Sequence, residues 1–377
     1  MLNANVHILL VSAQAAPNLL PALDPALKPS EAVLIVSSKM QTRADALETV
    51  LREAGVKTSR IALEDEHDFA KLENALLGVA DEREGQTITL NVTGGTKLMA
   101  LAAQSVAQAY KWPVFYVDAD TDEVIWLGKE SHRQPLTQQL RLPHYLRGYG
   151  FSLVEGIERP QPSQLHNDLL STLITQVGSL EQALGQLNWL AQDAEEKKRL
   201  HATLSERQRD SRSLEALLRI FEDAGVLRVQ GDTLSFTDEH ERAFAKGGWL
   251  EHHVFRTITT LSGKLRIRDK AANLVVVDQS GVKNELDVAF MAKNRLFVIE
   301  CKTARMDKPE APKANDTLFK LSEICKRVGG LGTRGLLASY RPLGESEKRL
   351  ARALNIELVC SGELAHLSEK IKNWVGP

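Results

Sequence analysis

Cysteine is scarce in this chain. Cys301, Cys325 and Cys360 are the only three in 377 residues, odd in number and widely spaced, which argues against a disulfide framework or a zinc site. No run approaches the ~20 apolar residues that a membrane-spanning helix needs. Met1–Leu10 has no basic stretch ahead of its apolar run, so it does not read as a signal peptide, and the expectation is a cytoplasmic protein with no membrane partner. A large excess of one charge is also missing. Lys and Arg number 47 against 49 Asp and Glu, a formal net charge of −2, which weighs against tight, non-specific coating of nucleic acid but leaves room for a local groove. With 43% hydrophobic and 25% charged residues, disorder is excluded for the chain as a whole, and its length suggests two or three domains.

The pattern along the chain predicts a mixed α/β protein in three parts. Up to residue 145, nearly continuous apolar strands at Val6–Ser12, Val33–Ser37 and Thr87–Val92 alternate with helical patterns at Thr42–Ala54, Asp68–Val79 and Thr96–Tyr110, and strands at Val114–Asp118 and Glu123–Leu127 close the unit. Such alternation predicts an open, mostly parallel sheet covered on both faces, a Rossmann-like domain. Residues 146–246 are mostly helical and end in a hairpin signal around Gln230-Gly231-Asp232, a winged-helix-like connector. Residues 247–377 form a second α/β unit, with a helix Trp249–Leu261 and strands near Leu274–Val277, Glu285–Met291, Leu296–Lys302, Gly335–Ser339 and Ile356–Val359.

The sharpest chemical signal lies in that last unit. Glu285, Asp287, Glu300 and Lys302 interrupt two otherwise apolar strands, and charges there are costly unless paired, hydrated or bound to a cation. If Lys293-Asn294 is a two-residue turn, Asp287 lies opposite Glu300 and Glu285 opposite Lys302, at the short distance of cross-strand neighbours. Two opposed carboxylates suit a hard dication, Mg²⁺ or Mn²⁺, and not Zn²⁺. With a lysine on the same strand face, this is a site for metal-assisted phosphodiester hydrolysis. A solvated salt-bridge ladder of Glu285 and Asp287 against Lys302 is the plainer alternative. Upstream, Glu251 opens the amphipathic helix that starts at Trp249, either as a residue favoured by the helix dipole or as a third carboxylate. Lys264, Arg266 and Arg268 alternate with Leu265 and Ile267, a pattern that predicts either a phosphate track or a solvated edge strand. Arg305 and Lys308 add to the track, and Lys320 reads as an exposed helical lysine or a further site cation.

A helix with Glu, a strand with Asp and a strand with Glu-x-Lys resemble the PD-(D/E)xK nucleases over about residues 247–340. That resemblance implies Asp287, Glu300 and Lys302 as the catalytic core with Glu251 in support. It also implies a metal ion held by Asp287, Glu300, Glu251 and the main-chain carbonyl of Cys301. Leu286 stands where the family name has proline.

In the first part, Asn91-Val92-Thr93-Gly94-Gly95-Thr96-Lys97 lies where a strand feeds a helix. Glycines permit close approach of a ligand to backbone, and the helix start favours an anion. The pattern is neither G-x-G-x-x-G nor a Walker loop, which disfavours hydride transfer and NTP hydrolysis. Polar residues also follow the first two strands, at Ser12-Ala13-Gln14 with Asn18 beyond, and at Ser37 to Thr42. Together these strand ends predict a polar nucleotide cleft without an evident acid–base pair. A sheet domain with this loop, a connector and a nuclease-like unit resembles the CRISPR type III ancillary nucleases, whose N-terminal CARF domain is a Rossmann-like sensor. The resemblance implies a homodimer that binds cyclic oligoadenylate, in particular cyclic tetra-adenylate. It implies Ser12, Gln14, Asn18, Ser38, Met40, Thr93, Gly95, Thr96 and Lys97 as ligand residues, with metal-dependent cutting of RNA, DNA or both as the output. A ligand-responsive winged-helix transcription regulator is the alternative from another class, and a nuclease indifferent to any ligand is a third.

Overall fold

In the computed structural model of the chain, which describes residues 6–119, 121–128, 131–154, 163–303 and 314–376, strand β1 (Val6–Leu10) is buried along its whole length. After it come α1 (Ala16–Leu23), β2 (Glu31–Ser37), α2 (Gln41–Glu53), β3 (Lys57–Leu63), α3 (Phe69–Glu82), β4 (Ile88–Asn91), α4 (Lys97–Tyr110), β5 (Val114–Asp118), β6 (Glu123–Leu127) and β7 (His132–Pro135). They form one sheet in the order β3-β2-β1-β4-β5-β6-β7, parallel from β3 to β5 and antiparallel beyond. Helices on both faces explain why β1 and β2 are mostly apolar and, apart from Glu31, buried. Strand order reverses between β1 and β4, the place where open α/β sheets bind ligands at the carboxyl ends of their strands. Helix α1 is not among the helical patterns expected from the sequence, and it contains Pro21. Pro17 sits in its first turn, where no N–H is required.

Next come α5 (Leu142–Gly148) and β8 (Phe151–Leu153), then the connector with α6 (Gln164–Thr175), α7 (Val177–Glu196), β9 (His201–Thr203), α8 (Glu206–Arg209), α9 (Arg212–Asp223), β10 (Leu227–Gln230), β11 (Thr233–Phe236) and α10 (Glu239–Ala243). A three-stranded sheet β10-β11-β9 completes a winged-helix-like module. Its α9 buries Leu214, Leu217, Leu218 and Phe221.

The last unit holds α11 (Trp249–Leu261), β12 (Asp269–Asp278), β13 (Lys283–Ala292), β14 (Arg295–Lys302), α12 (Ala314–Gly329), β15 (Arg334–Ser339), α13 (Glu345–Ala353), β16 (Ile356–Cys360) and α14 (Leu367–Val375). Its sheet runs β16-β15-β14-β13-β12-β8, so β8, which lies within residues 146–246, forms its edge. One core runs from Leu170, Leu187 and Phe221 of the connector into Trp249, Phe290 and Phe297. A second joins Leu9, Leu34 and Phe115 of the first sheet to Ala289, Val298 and Leu321 of the last.

The expected edge strand over Lys264, Arg266 and Arg268 does not form. That segment is a turn after α11 with Arg266 at φ 52°. Lys264 and Arg266 line a groove with Lys293 and Lys372, at the hairpin end of β14 and away from Glu300 and Lys302 at its other end. Arg305 and Lys308 lie outside the described residues. Lys320 is exposed on α12.

Candidate functional site

Two strand ends carry the polar chemistry. In the first sheet, Leu10 and Asn91 end the two strands that flank the reversal. The Asn91 amide donates to the Pro17 carbonyl and to Asn18 Oδ1, each at 3.0 Å, and Asn18 Nδ2 donates to the Leu10 carbonyl at 3.0 Å. Asn18 is only 1% exposed, so this expected ligand residue is instead an interior tie between β1, α1 and β4. The Thr93 hydroxyl donates to Asn91 Oδ1 at 2.6 Å and accepts from the Val117 N–H at 2.7 Å. A side chain on Gly94 would collide with the Leu10 carbonyl, and Gly95 has φ 73°. Both glycines therefore serve the close packing of the loop on β1. Thr96 caps α4 by accepting from the Met99 N–H at 3.2 Å.

What this loop leaves open is the start of α4, with outward N–H groups and an exposed Lys97. Ser38 is exposed and Met40 half-buried across the cleft. Ser12 Oγ accepts from the Gln14 N–H at 3.3 Å. Gln14 turns toward the other domain. Its Oε1 accepts from the Tyr149 hydroxyl at 3.3 Å, and its amide presses on Gly330, where a Cβ would collide with it. Gln14, Tyr145, Tyr149, Arg295 and Arg334 line a cavity of about 300 Å³ there.

The second site sits at the ends of β13 and β14. Lys293 and Asn294 make the expected two-residue turn, both with positive φ (51° and 52°), as a tight hairpin of this kind requires. The predicted register holds from Ala292–Arg295 to Val288–Ile299. Beyond Val288 no further β13–β14 pair is formed. Asn273, opposite this point on β12, has φ 49°, and the inward alternation shifts by one residue. Ala271 and Leu274 face the same core, as do Ala289 and Leu286. Because of this kink the Asp287 carboxylate accepts from the Cys301 N–H at 2.7 Å. Glu285 is exposed and pairs with Val275 of β12, so the expected Glu285–Lys302 pairing is not made. Lys302 binds its own strand neighbour Glu300 at 2.5 Å.

Glu251 reaches this site from α11. Its position depends on Gly247, in the wide turn Phe244–Gly248. Gly247 has φ 154°, and a Cβ there would collide with the Thr303 side chain. Burial, reinforced by the negative charges of Asp287 and Glu285, pushes the Glu251 carboxyl up to about 8. Burial and then Glu300 push Asp287 up to about 7, with the Cys301 N–H working the other way. Burial opposes the charge of Lys302, but Glu300 and Asp287 outweigh it and raise its pKa. Four carboxylates and one ammonium thus share one field, in which a dication would relieve the repulsion. The hard oxygen donors of Glu251, Asp287 and Glu300 fit Mg²⁺ or Mn²⁺ chemically. As they stand, among the described residues no three His, Cys, Asp or Glu side chains converge at metal-ligating distance. Glu300 is drawn to Lys302 and Asp287 to backbone. The Cys301 thiol is buried and held well above its ordinary pKa by that burial, which leaves only its main chain for chemistry.

Three neighbours were not readable from the motifs. Ser339, fully buried on β15, lies opposite Lys302 in parallel register. Asn188 of α7 donates to the Thr303 carbonyl at 3.1 Å. Arg341 packs against Gly185 of the same helix. Each comes from a part of the chain distant in sequence from the β13–β14 motif.

A family model of the Card1 CARF domain matches residues 6–145, and one of the Card1-like endonuclease domain matches residues 238–376. The chain belongs to the Card1-like CARF nucleases. Two solved structures share this CARF–endonuclease architecture over nearly their whole length. Protein VC1899 from Vibrio cholerae is 27% identical, with 98% of this chain and 97% of that one aligned and a TM-score of 0.90. Can2 from Sulfobacillus thermosulfidooxidans, in complex with cyclic tetra-adenylate, is 24% identical over 99% of both chains with a TM-score of 0.85. A type III CRISPR defence DNA nuclease activated by cyclic oligoadenylate aligns with 90% of this chain and 46% of its own, at 21% identity and a TM-score of 0.55. No curated protein matches this CARF nuclease.

Proposed function

We infer that this protein is a metal-dependent endonuclease of CRISPR antiviral defence, activated by cyclic oligoadenylate, with cyclic tetra-adenylate as the activator and RNA, DNA or both as substrate. Residues 1–145 are the sensor, 146–246 the connector and 247–377 the nuclease of PD-(D/E)xK type. The observation that carries the reading is the gathering of Glu251, Asp287 and Glu300 around Lys302 at one end of the last sheet.

Asp287, Glu300, Glu251 and the Cys301 carbonyl would hold Mn²⁺ or Mg²⁺. When bound, such an ion supplies a lowered pKa for water and offsets charge at phosphorus. Lys302, kept charged by Glu300, stands beside the scissile phosphate and stabilises the negative charge that builds on its oxygens. Water adds to phosphorus, the P–O bond to the leaving oxygen breaks, and that oxygen takes up a proton.

On the sensor, Lys97 and the start of α4 face the phosphates, with Gly95, Thr96, Ser12, Ser38 and Met40 around the ring. A two-fold ligand fits a homodimer. Leu98 and Leu101, the latter 60% exposed on α4 beside Lys97, suit its interface. Gln14 links the cleft to the Gly330 turn, which leads into β15 and so to Ser339 beside Lys302. This contact is the route by which a ligand would reset the nuclease.

The regulator alternative is weaker on one observation. Along α9, Arg219 is bound to Glu215 at 2.5 Å, and Glu222 and Asp223 follow, an unfavourable surface for a DNA backbone.

One assay tests the reading. With Mn²⁺, labelled RNA and DNA are expected to be cut only when cyclic tetra-adenylate is present, and Glu300→Ala is expected to cut neither. Lys97→Ala is expected to fold normally and to bind the activator about tenfold more weakly, the loss of one phosphate contact. Cutting that ignores the activator sinks the sensor role, and unchanged affinity in Lys97→Ala retires that residue.

A further inference from the structure

The cavity of about 300 Å³ bordered by Gln14 takes its walls from both domains. Gln14, Leu20 and Asp122 come from the first sheet's loops and α1, and Arg295, Leu331 and Arg334 from the starts of β14 and β15. Three of these residues are unusual in such a wall. Arg334 is half-buried and makes no hydrogen bond or ion pair among the described residues. A guanidinium withdrawn from water without a partner is costly, and its planar fork of donors suits a phosphate. Arg295 lines the same cavity and donates to the Ala119 carbonyl, across the domain boundary, at 3.4 Å.

On the sensor side, Asp122 Oδ1 is buried and has no hydrogen-bond partner among the described residues, an acceptor that lacks a donor. The charges of Arg295 and Lys293 act against its own, so it does not by itself bar an anion. Leu331, flanked by Gly330 and Gly332, is 90% exposed. With Pro17 and Leu20 it gives the cavity apolar surface, which gains by covering a flat ring.

These groups describe a ligand with an anionic end, a hydrogen-bond donor and an apolar face. A nucleoside monophosphate has all three. Inorganic phosphate lacks the apolar face, and a nucleoside lacks the anion. About 300 Å³ is at the low end for ligand pockets, room for a single nucleotide and not for a ring of four. None of residues 93–97 lines this cavity, so it is separate from the cleft at the start of α4. We propose that it is a second small-molecule site, which takes one nucleoside monophosphate with its phosphate on Arg334 and Arg295 and a sugar or base donor on Asp122. An occupant would touch Gln14 and the turn before β15, and so would tie the sensor to the nuclease.

The test uses the full chain and isothermal titration calorimetry, with AMP, inorganic phosphate and adenosine as separate probes and neither metal nor nucleic acid present. AMP is expected to bind once per chain with a Kd below about 1 mM, and phosphate and adenosine each at least about tenfold more weakly. Arg334→Ala is expected to weaken AMP at least about tenfold, and Arg334→Lys to recover part of that loss. Melting curves of both variants without ligand are expected to stay within about 3 °C of the parent, since Arg334 has no partner to lose. Leu331→Ala, at a side chain too exposed to support the fold, is expected to weaken AMP about threefold and phosphate not at all. Lys97→Ala is expected to bind AMP as the parent does. No AMP binding by the parent, equal AMP affinity in Arg334→Ala, or phosphate bound as tightly as AMP overturns the proposal. Loss of AMP binding in Lys97→Ala also overturns it, because the nucleotide then sits in the sensor cleft. Nothing is cut in this experiment, so its outcome stands whatever becomes of the nuclease reading.

Discussion

Asp287→Asn is expected to lower cutting about a thousandfold and at the same time to raise the melting temperature of the metal-free protein. The two effects share one cause. Asp287 is half-buried, and its carboxyl is pushed up to about 7 by burial and by Glu300. A carboxyl that holds its proton more tightly when folded contributes stability that is full below its unfolded pKa, near 4. That contribution is lost as pH rises through the folded value. At pH 8 the parent therefore carries a strained charge that asparagine lacks. Asparagine can still accept the Cys301 N–H, so the backbone tie survives. Thermal melts in chelator are expected to show the variant about 3–6 °C more stable than the parent at pH 8, with the gap closing toward pH 5. A variant less stable than the parent at pH 8 would show that Asp287 holds the fold together and is not strained for function.

Gly247→Ala is expected to remove both activity and much of the stability. At φ 154° an L-residue is strained, and the added methyl would collide with the Thr303 side chain. Relief requires moving either the start of α11, which carries Glu251, or the end of β14, which carries Lys302. A loss of about 2–4 kcal/mol in denaturant melts is expected, with cutting reduced at least about a hundredfold even where the variant is still folded. Thr303→Ala in the same background makes room for the methyl and is expected to restore part of the stability. Full activity in the single variant would mean that this close contact plays no part in the site.

Much of this was readable in the sequence because local rules agreed with the fold. The apolar runs of β1 and β2 signalled a covered parallel sheet, and Lys293-Asn294 between two apolar strands set the hairpin and most of its register. The departures have identifiable causes. Asn273 has no special signature, yet its positive φ shifts the alternation of β12 and β13 and turns Asp287 onto the Cys301 N–H. Alternation alone made Lys264, Arg266 and Arg268 look like a strand, although a turn with period-two charge reads the same. Asn18 looked like a rim residue because it follows the end of the first strand, but it lies on α1, which the pattern did not predict, and is buried there. Asn188 and Arg341 join the site only through tertiary packing of the connector on the ends of β14 and β15, which no local pattern reports.

The claim beneath all of this is that the carboxylates of Glu251, Asp287 and Glu300 take up one hard dication beside Lys302. Crystals of the full chain soaked in Mn²⁺ test it most directly, with the ion located by its anomalous scattering. The account predicts one strong peak within about 2.0–2.3 Å of oxygens from Asp287 and Glu300, with Glu300 released from Lys302. No peak there at saturating Mn²⁺, with Asp287 still bound to the Cys301 N–H and Glu300 still bound to Lys302, would contradict it.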